Sequence, residues 1–149
     1  MNLSKPDLTL HPPRSPRVRL GGYAILPRML DKGRAELAGK NGEYHYACPN
    51  DQQFLQFAGI DPNALKQEIA AGKGDGDLLK WIQEHAKHQR TGAEIEAWSN
   101  WQDRRAPDNP DGRAYFNNLH TQVAPGREDI ASWADMLDAD DFASYGGKV

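Results

Sequence analysis

Hydrophobic side chains recur along most of the chain at steps of three and four residues, the spacing of one face of an α-helix. The longest such stripe runs from Leu20 to Leu37. Proline usually kinks a helix or occupies its first turn, so this stripe predicts a helix that begins near Gly22 or near Pro27. Glycine commonly follows the last turn of a helix, and Gly39 predicts where this one ends.

Shorter apolar rows follow, each with a residue ahead of it that is able to cap a helix. The clearest signal is Thr91-Gly92-Ala93-Glu94, which fits a capping box. The further helices are expected to begin near Asn50 or Asp51, Asp61, Asp75 or Asp77, Thr91, Asp111 and Asp129. The last row is expected to form a helix over 129–137.

The pattern predicts an all-α protein, because no stretch alternates between apolar and polar positions for long enough to require a sheet. Prolines at positions 12, 13 and 16 favour extended backbone before them, so residues 1–17 are predicted to form an extended N-terminal arm. Residues 18–149 are expected to form a compact, irregular bundle of six or seven short helices. We therefore expect one domain over residues 1–149.

Composition narrows the class of protein further. The chain has 149 residues and one cysteine, so an internal disulfide is excluded and a reducing, cytoplasmic location is expected. No apolar run approaches the roughly 18 residues of a membrane span, and the first residues lack the apolar run of a signal peptide. No membrane partner is expected.

The net charge of −3 conceals an uneven distribution. Residues 1–40 hold eight Lys and Arg against three Asp and Glu, whereas residues 41–149 hold ten against eighteen. Two interpretations stay open. In the first, the basic residues 1–40 bind an anionic ligand or an acidic surface, which belongs to this chain or to a partner. In the second, they form a solvated face without a binding role.

Several sequence blocks resemble a bacterial family of uncharacterised, mostly helical proteins that is catalogued only as a domain of unknown function. The blocks are Pro13-Arg14-Ser15-Pro16-Arg17, Leu20-Gly21-Gly22-Tyr23, the run from Leu26 to Ala35, Gly42-Glu43-Tyr44-His45-Tyr46 with Cys48-Pro49 and Asp51, and the segment Trp133–Asp141. The resemblance spans nearly the whole chain. It implies a small, soluble, mostly helical bacterial protein and supplies no activity, cofactor or catalytic residue to carry over.

An anion site is the strongest functional candidate, because arginine forks bind carboxylate or phosphate and tyrosine hydroxyls add directional hydrogen bonds. Asp31 or His45 is expected to move a proton if the site is catalytic. The ligand-binding residues of this hypothesis are Arg14, Arg17, Tyr23, Arg28, Tyr44 and Tyr46. In the alternative interpretation, the arginines pair with Asp31, Glu36, Glu43 and Asp51 and fasten the arm.

Other chemistry has less support in the sequence. Cys48 precedes an expected helix start, with His45 three residues away, but it matches no protease or redox signature. His85 and His88 share a helix face without the third ligand that zinc needs, so no metal is expected. An isoelectric point near 5.9 and the lack of a recognition-helix signature argue against nucleic acid as a partner. No cofactor is expected.

Two functions follow from these observations. The first is a small-molecule binding protein, or a cofactor-free enzyme, with a pocket for an anionic ligand near the N-terminal Arg/Tyr/His cluster. The alternative is a homodimeric protein-interaction module whose basic arm docks on an acidic surface of its partner.

Overall fold

The computed structural model describes residues 4–149 and contains seven α-helices in that range. They are α1 (Leu26–Leu37), α2 (Pro49–Ala58), α3 (Pro62–Ala70), α4 (Asp75–His85), α5 (Gly92–Arg104), α6 (Pro110–Val123) and α7 (Trp133–Ser144). Extended pairing within the described residues is limited to one isolated bridge between Leu20 and Tyr23. The predicted all-α bundle is confirmed, with seven helices.

Helix α1 begins at Leu26, next to the later of the two predicted starts, and Pro27 lies in its first turn. The preceding Ile25 has a φ of 72°, a left-handed conformation that is unusual for a β-branched residue. Two contacts hold it there. Its N–H donates to the carbonyl of Pro16 at 2.9 Å, and its side chain is buried. The arm therefore fixes the entry to α1.

Three helices begin at other residues than the sequence predicts. Helices α2 and α6 begin at Pro49 and Pro110, because proline suits the first turn, and their N-caps are Cys48 and Asn109. Helix α7 begins at Trp133, later than the predicted position 129, and it extends to Ser144. Its N-cap Ser132 forms a capping box with Asp135, and residues 124–131 ahead of it are not helical.

The main hydrophobic core surrounds α1. Its largest fully buried side chains come from four helices and the segment before α1, and they are Ile25, Leu26, Met29, Leu30, Phe54, Leu65, Leu78 and Ile82. Gly33 lets α1 approach α3, since a Cβ at that position would lie 2.9 Å from Cδ1 of Ile69. A second buried cluster joins α6 to α7 through Phe116 and Met136.

Residues 4–17 contain no helix and pack along the bundle, and residues 1–3 of the predicted arm lie outside the described residues. Leu8 is buried, its N–H donates to the carbonyl of Lys40, and its carbonyl accepts from the hydroxyl of Tyr145 at 2.6 Å. The arm thus touches the segment just after α1 and the residue just after α7. The assignment of residues 1–149 to a single domain stays a prediction.

No helix within residues 4–149 has both the length and the apolar character needed to cross a bilayer.

We expect Leu30→Ala to lower the free energy of unfolding by about 2–5 kcal/mol, because it removes a fully buried side chain and leaves a cavity. Urea denaturation followed by circular dichroism measures this loss. Leu37→Ala, a matched substitution at an exposed position of the same helix, is expected to cost less than about 1 kcal/mol. Equal losses in the two variants would contradict the packing described here.

Candidate functional site

Helix α1 buries charged side chains as well as apolar ones. Arg28, Asp31, Lys32 and Arg34 are all 6% exposed or less. An isolated buried charge is very unfavourable, so each of these groups needs an opposite charge from elsewhere in the fold. Three sets of partners provide those charges.

The first set joins α1 to α7. The Arg28 guanidinium donates to both carboxylate oxygens of Asp141, at 2.7 and 3.2 Å, and both side chains are buried. The hydroxyl of Tyr44 also donates to Asp141, at 2.8 Å, and the Tyr44 ring lies 5.5 Å from the guanidinium carbon. Burial and the contact with the Asp141 carboxylate raise the pKa of Tyr44, so Tyr44 remains a neutral donor.

The second set joins α1 to α2. The Lys32 ammonium donates to Oδ1 of Asp51 at 2.9 Å and to the Cys48 Sγ at 3.2 Å. Oδ2 of Asp51 lies 2.8 Å from the same nitrogen but accepts no well-directed hydrogen bond. Burial raises the pKa of Asp51, and the Lys32 charge opposes that shift.

The third set connects the arm, α1 and α4. The backbone N–H and the guanidinium of Arg14 donate to the buried Asp31, and the guanidinium also reaches Asp75 at 2.7 Å. Arg34 donates to the same Asp75 at 2.9 Å. Burial raises the pKa of Asp75, but the hydrogen bonds from Arg14 and Arg34 outweigh it and leave the pKa below its ordinary value. This network fastens the arm to the bundle.

An open cavity of about 640 Å³ lies beside the first two sets, a size typical of small-molecule sites. Arg28, Lys32 and Cys48 form part of its wall. The other lining residues come from the arm, the α1–α2 segment and helices α2, α6 and α7, with Tyr145 just after α7: Leu8, Thr9, Gly42, Glu43, Tyr44, His45, Asn50, Tyr115, Leu137, Asp140, Ser144 and Tyr145. The side chains of His45, Tyr115 and Ser144 form no hydrogen bond with the described residues.

Three of the predicted site residues line this cavity: Arg28, Tyr44 and His45. The other five lie elsewhere. Arg14 and Asp31 bind each other, and Arg17 pairs with Asp135 and Asp138 of α7. Tyr23 is buried against Phe54, and the hydroxyl of Tyr46 donates to the carbonyl of Pro62. Arg14 pairs with Asp31, one of the acids named in the alternative interpretation, whereas Arg17 pairs with acids of α7 that it does not name.

Sequence reasoning did not include four of the cavity's polar residues among the ligand-binding set: Lys32, Asn50, Asp140 and Tyr145. Asp140 and Tyr145 come from the far end of the chain, and no local spacing links them to the arm. Burial and the neighbouring Asp141 carboxylate raise the pKa of Asp140, while Arg28 opposes the shift. Among residues 4–149, no group of three or more His, Cys, Asp or Glu is arranged to hold a metal ion.

Fold and site together define a small all-α protein with an open cavity of mixed polar and apolar lining between its N-terminal arm, α1 and α7. The model of a protein family described as "Domain of unknown function (DUF5069)" matches residues 10–143. The chain therefore belongs to that family, and the resemblance noted in its sequence is confirmed at this level. A comparison with curated proteins gives no significant match.

We expect Asp140→Asn to stabilise the protein progressively as pH rises. The pKa of Asp140 is raised in the folded state, so folding opposes its ionisation. This cost is absent well below the ordinary aspartate pKa of about 3.9 and is complete above the folded-state pKa. Urea denaturation at a series of pH values from about 3 to 7 compares wild type and variant.

Asp138→Asn is the matched control, because Asp138 lies on the same helix and pairs with Arg17. It is expected to show no such gain in stability. The raised pKa of Asp140 would be contradicted if the stability difference between wild type and Asp140→Asn did not depend on pH or became smaller as pH rises.

Proposed function

We propose that this protein binds a small anionic molecule, a carboxylate or a phosphate monoester, in the cavity between the arm, α1 and α7. The observation that carries the proposal is the combination of two buried cations in the wall, Arg28 and Lys32, with three exposed polar side chains, His45, Tyr115 and Ser144, that form no hydrogen bond with the described residues. Small-molecule sites typically combine apolar surface with a few polar groups that are free to bond the ligand.

The donors of Arg28 support an anionic ligand, although Arg28 and Lys32 are already paired with Asp141 and Asp51 and the wall also carries Glu43 and Asp140. A guanidinium has five N–H donors, and Arg28 makes three hydrogen bonds, to the Arg14 carbonyl and to Asp141. Donors therefore remain for a ligand carboxylate. Protonation of Asp140, which its raised pKa favours, removes negative charge from the same wall.

The remainder of the ligand is proposed to be apolar. Leu8 and Leu137 line the cavity, and the rings of Tyr115 and Tyr145 do so as well. An anionic head beside Arg28 and an apolar body against these side chains would use both kinds of surface.

An enzymatic form of the proposal gives His45 the role of general acid or base, since it is exposed, lines the cavity and forms no hydrogen bond with the described residues. Asp31 stays a predicted catalytic residue. Its carboxylate accepts hydrogen bonds from Arg14 away from the cavity, so it supports the arm and leaves His45 as the residue to test first. No cofactor is part of this proposal.

The proposal also places the protein in the cytoplasm of a bacterium. The single cysteine supports a reducing compartment. The homodimeric alternative stays a prediction. Three arginines of the front, Arg14, Arg17 and Arg19, form ion pairs within their own chain, which leaves the basic front fewer charges for a partner.

A thermal-shift screen of aliphatic and aromatic monocarboxylates and of phosphate monoesters tests the proposal. A ligand of the folded state raises the melting temperature by mass action, with about 2.7 kcal/mol of added stability at a hundred times the dissociation constant. We expect at least one class to bind, more tightly to Asp140→Asn than to wild type at neutral pH. His45→Gln is expected to weaken that binding.

Arg17→Ala is the control outside the cavity, because Arg17 pairs with α7 on another surface. Its ligand-induced shift should equal that of the wild type. Failure of both ligand classes to bind would contradict the proposal. A shift lost in Arg17→Ala and retained in His45→Gln would move the site from the cavity to the basic arm.

A further inference from the structure

The contact between Lys32 and Cys48 differs from the other contacts of the buried charged residues on α1, because its acceptor is a sulfur. The Lys32 nitrogen lies 3.2 Å from the sulfur of Cys48, the single cysteine of the sequence, and 2.9 Å from Oδ1 of the buried Asp51. The Lys32 side chain is 3% exposed, so it has little freedom to leave. One nitrogen therefore contacts both an oxidisable sulfur and a proton acceptor.

Cys48 is less buried than Lys32, although both line the cavity. Cys48 is only partly buried and lines the open cavity, so a molecule as small as hydrogen peroxide can reach it. Cys48 occupies the N-cap of α2, yet its side chain makes no capping hydrogen bond. Its reaction thus breaks no hydrogen bond of the helix terminus. The thiolate is the form of cysteine that attacks peroxide, and the Lys32 ammonium places positive charge beside it.

Asp51 gives the second observation at this site. Its side chain is fully buried, Oδ1 accepts from the lysine nitrogen at 2.9 Å, and Oδ2 lies 2.8 Å from the same nitrogen without a well-directed hydrogen bond. The buried carboxylate is thus paired with Lys32, and its Oδ2 still has room to accept a proton. It lies where the lysine must release a proton before the amine can act as a nucleophile.

We propose that Lys32 and Cys48 form a reversible covalent link, a sulfenamide between Nζ and Sγ, when the protein meets a peroxide. In the first step, sulfur attacks peroxide. The O–O bond breaks, an S–O bond forms, the sulfur is oxidised to sulfenic acid, and the peroxide is reduced; the leaving hydroxide takes up the proton that the thiol gave up and departs as one molecule of water.

In the second step, Lys32 gives its proton to Asp51 and its free electron pair attacks the sulfur. The S–N bond forms and the S–O bond breaks, and the hydroxyl leaves with a proton from nitrogen as a second molecule of water. No oxidant beyond the peroxide is needed. Asp51 ends as a neutral acid, the form that its burial favours, so no buried charge is left unpaired.

The link has a structural consequence. It joins α1 directly to the first turn of α2 and removes the positive charge of Lys32 from the cavity wall. It also protects Cys48, because a sulfenic acid that is captured by nitrogen is not oxidised further to the irreversible sulfinic acid. Thiols return both residues to their starting state. This inference does not depend on the ligand proposed above.

Peptide mapping by mass spectrometry after treatment of the full chain with hydrogen peroxide tests the link. We expect the wild type to yield one linked peptide pair that contains Lys32 and Cys48 and has lost two hydrogens, and dithiothreitol to restore the free thiol. Lys32→Arg keeps the positive charge without an amine nucleophile. In that variant the linked peptide pair should be absent, and Cys48 should be oxidised to sulfinic acid, from which dithiothreitol does not restore the thiol.

Lys66→Arg is the matched control, since Lys66 contacts Glu36 and the Tyr46 ring rather than a sulfur. It should behave like the wild type. Equal thiol recovery in wild type and Lys32→Arg would overturn the proposal. So would a wild-type peptide map that shows only sulfinic acid, an intermolecular disulfide or a linked pair that retains an oxygen. The wild-type map decides the question by itself if Lys32→Arg does not fold.

Discussion

The burial of four charged side chains on α1 is the constraint on which the rest of the fold depends. Arg28, Asp31, Lys32 and Arg34 lie on a helix that the main core surrounds. Desolvation of an unpaired ion costs several kcal/mol, so the bundle is stable only if partners reach α1 from outside it. These partners come from the arm, from α2, from α4 and from α7.

The same constraint accounts for the shape of the molecule. The arm has no helix of its own, yet it lies close along the bundle because Arg14 must reach Asp31. Helix α7 is the last in the chain and closes over the arm, since Asp141 neutralises Arg28. The cavity lies where these late and early segments meet over α1. The two buried cations in its wall, Arg28 and Lys32, are therefore a consequence of how the core charges are paired. The N–H donors that those pairs leave free are the ones available to a ligand.

Local structure could be predicted from the sequence where the signal is local. The cap at Asp61 and the capping box at Thr91 lie within three residues of the helices that they begin, and both are present. The start of α7 was missed because Ser132 and Asp135 form a box without the usual glutamate, and an earlier aspartate offered a competing start.

The site was harder to predict, for a physical reason. The sequence groups arginine and tyrosine residues within the first 46 positions, but sequence spacing does not say which of them carry unpaired donors, and only three of the eight predicted site residues line the cavity. Arg17 and Arg28 look alike in sequence, yet one pairs with Asp135 and Asp138 on another surface and the other forms the cavity wall. That difference depends on acids more than a hundred residues away, and only the tertiary fold decides it.

A double-mutant cycle on Arg28 and Asp141 tests the central claim most directly. Arg28→Met and Asp141→Leu each leave one buried charge without its partner, and each is predicted to cost about 3–5 kcal/mol in free energy of unfolding. The double variant removes both charges, so its cost should be clearly smaller than the sum of the two single costs. Costs that simply add in the double variant would show that the two side chains are not coupled, and would contradict the account.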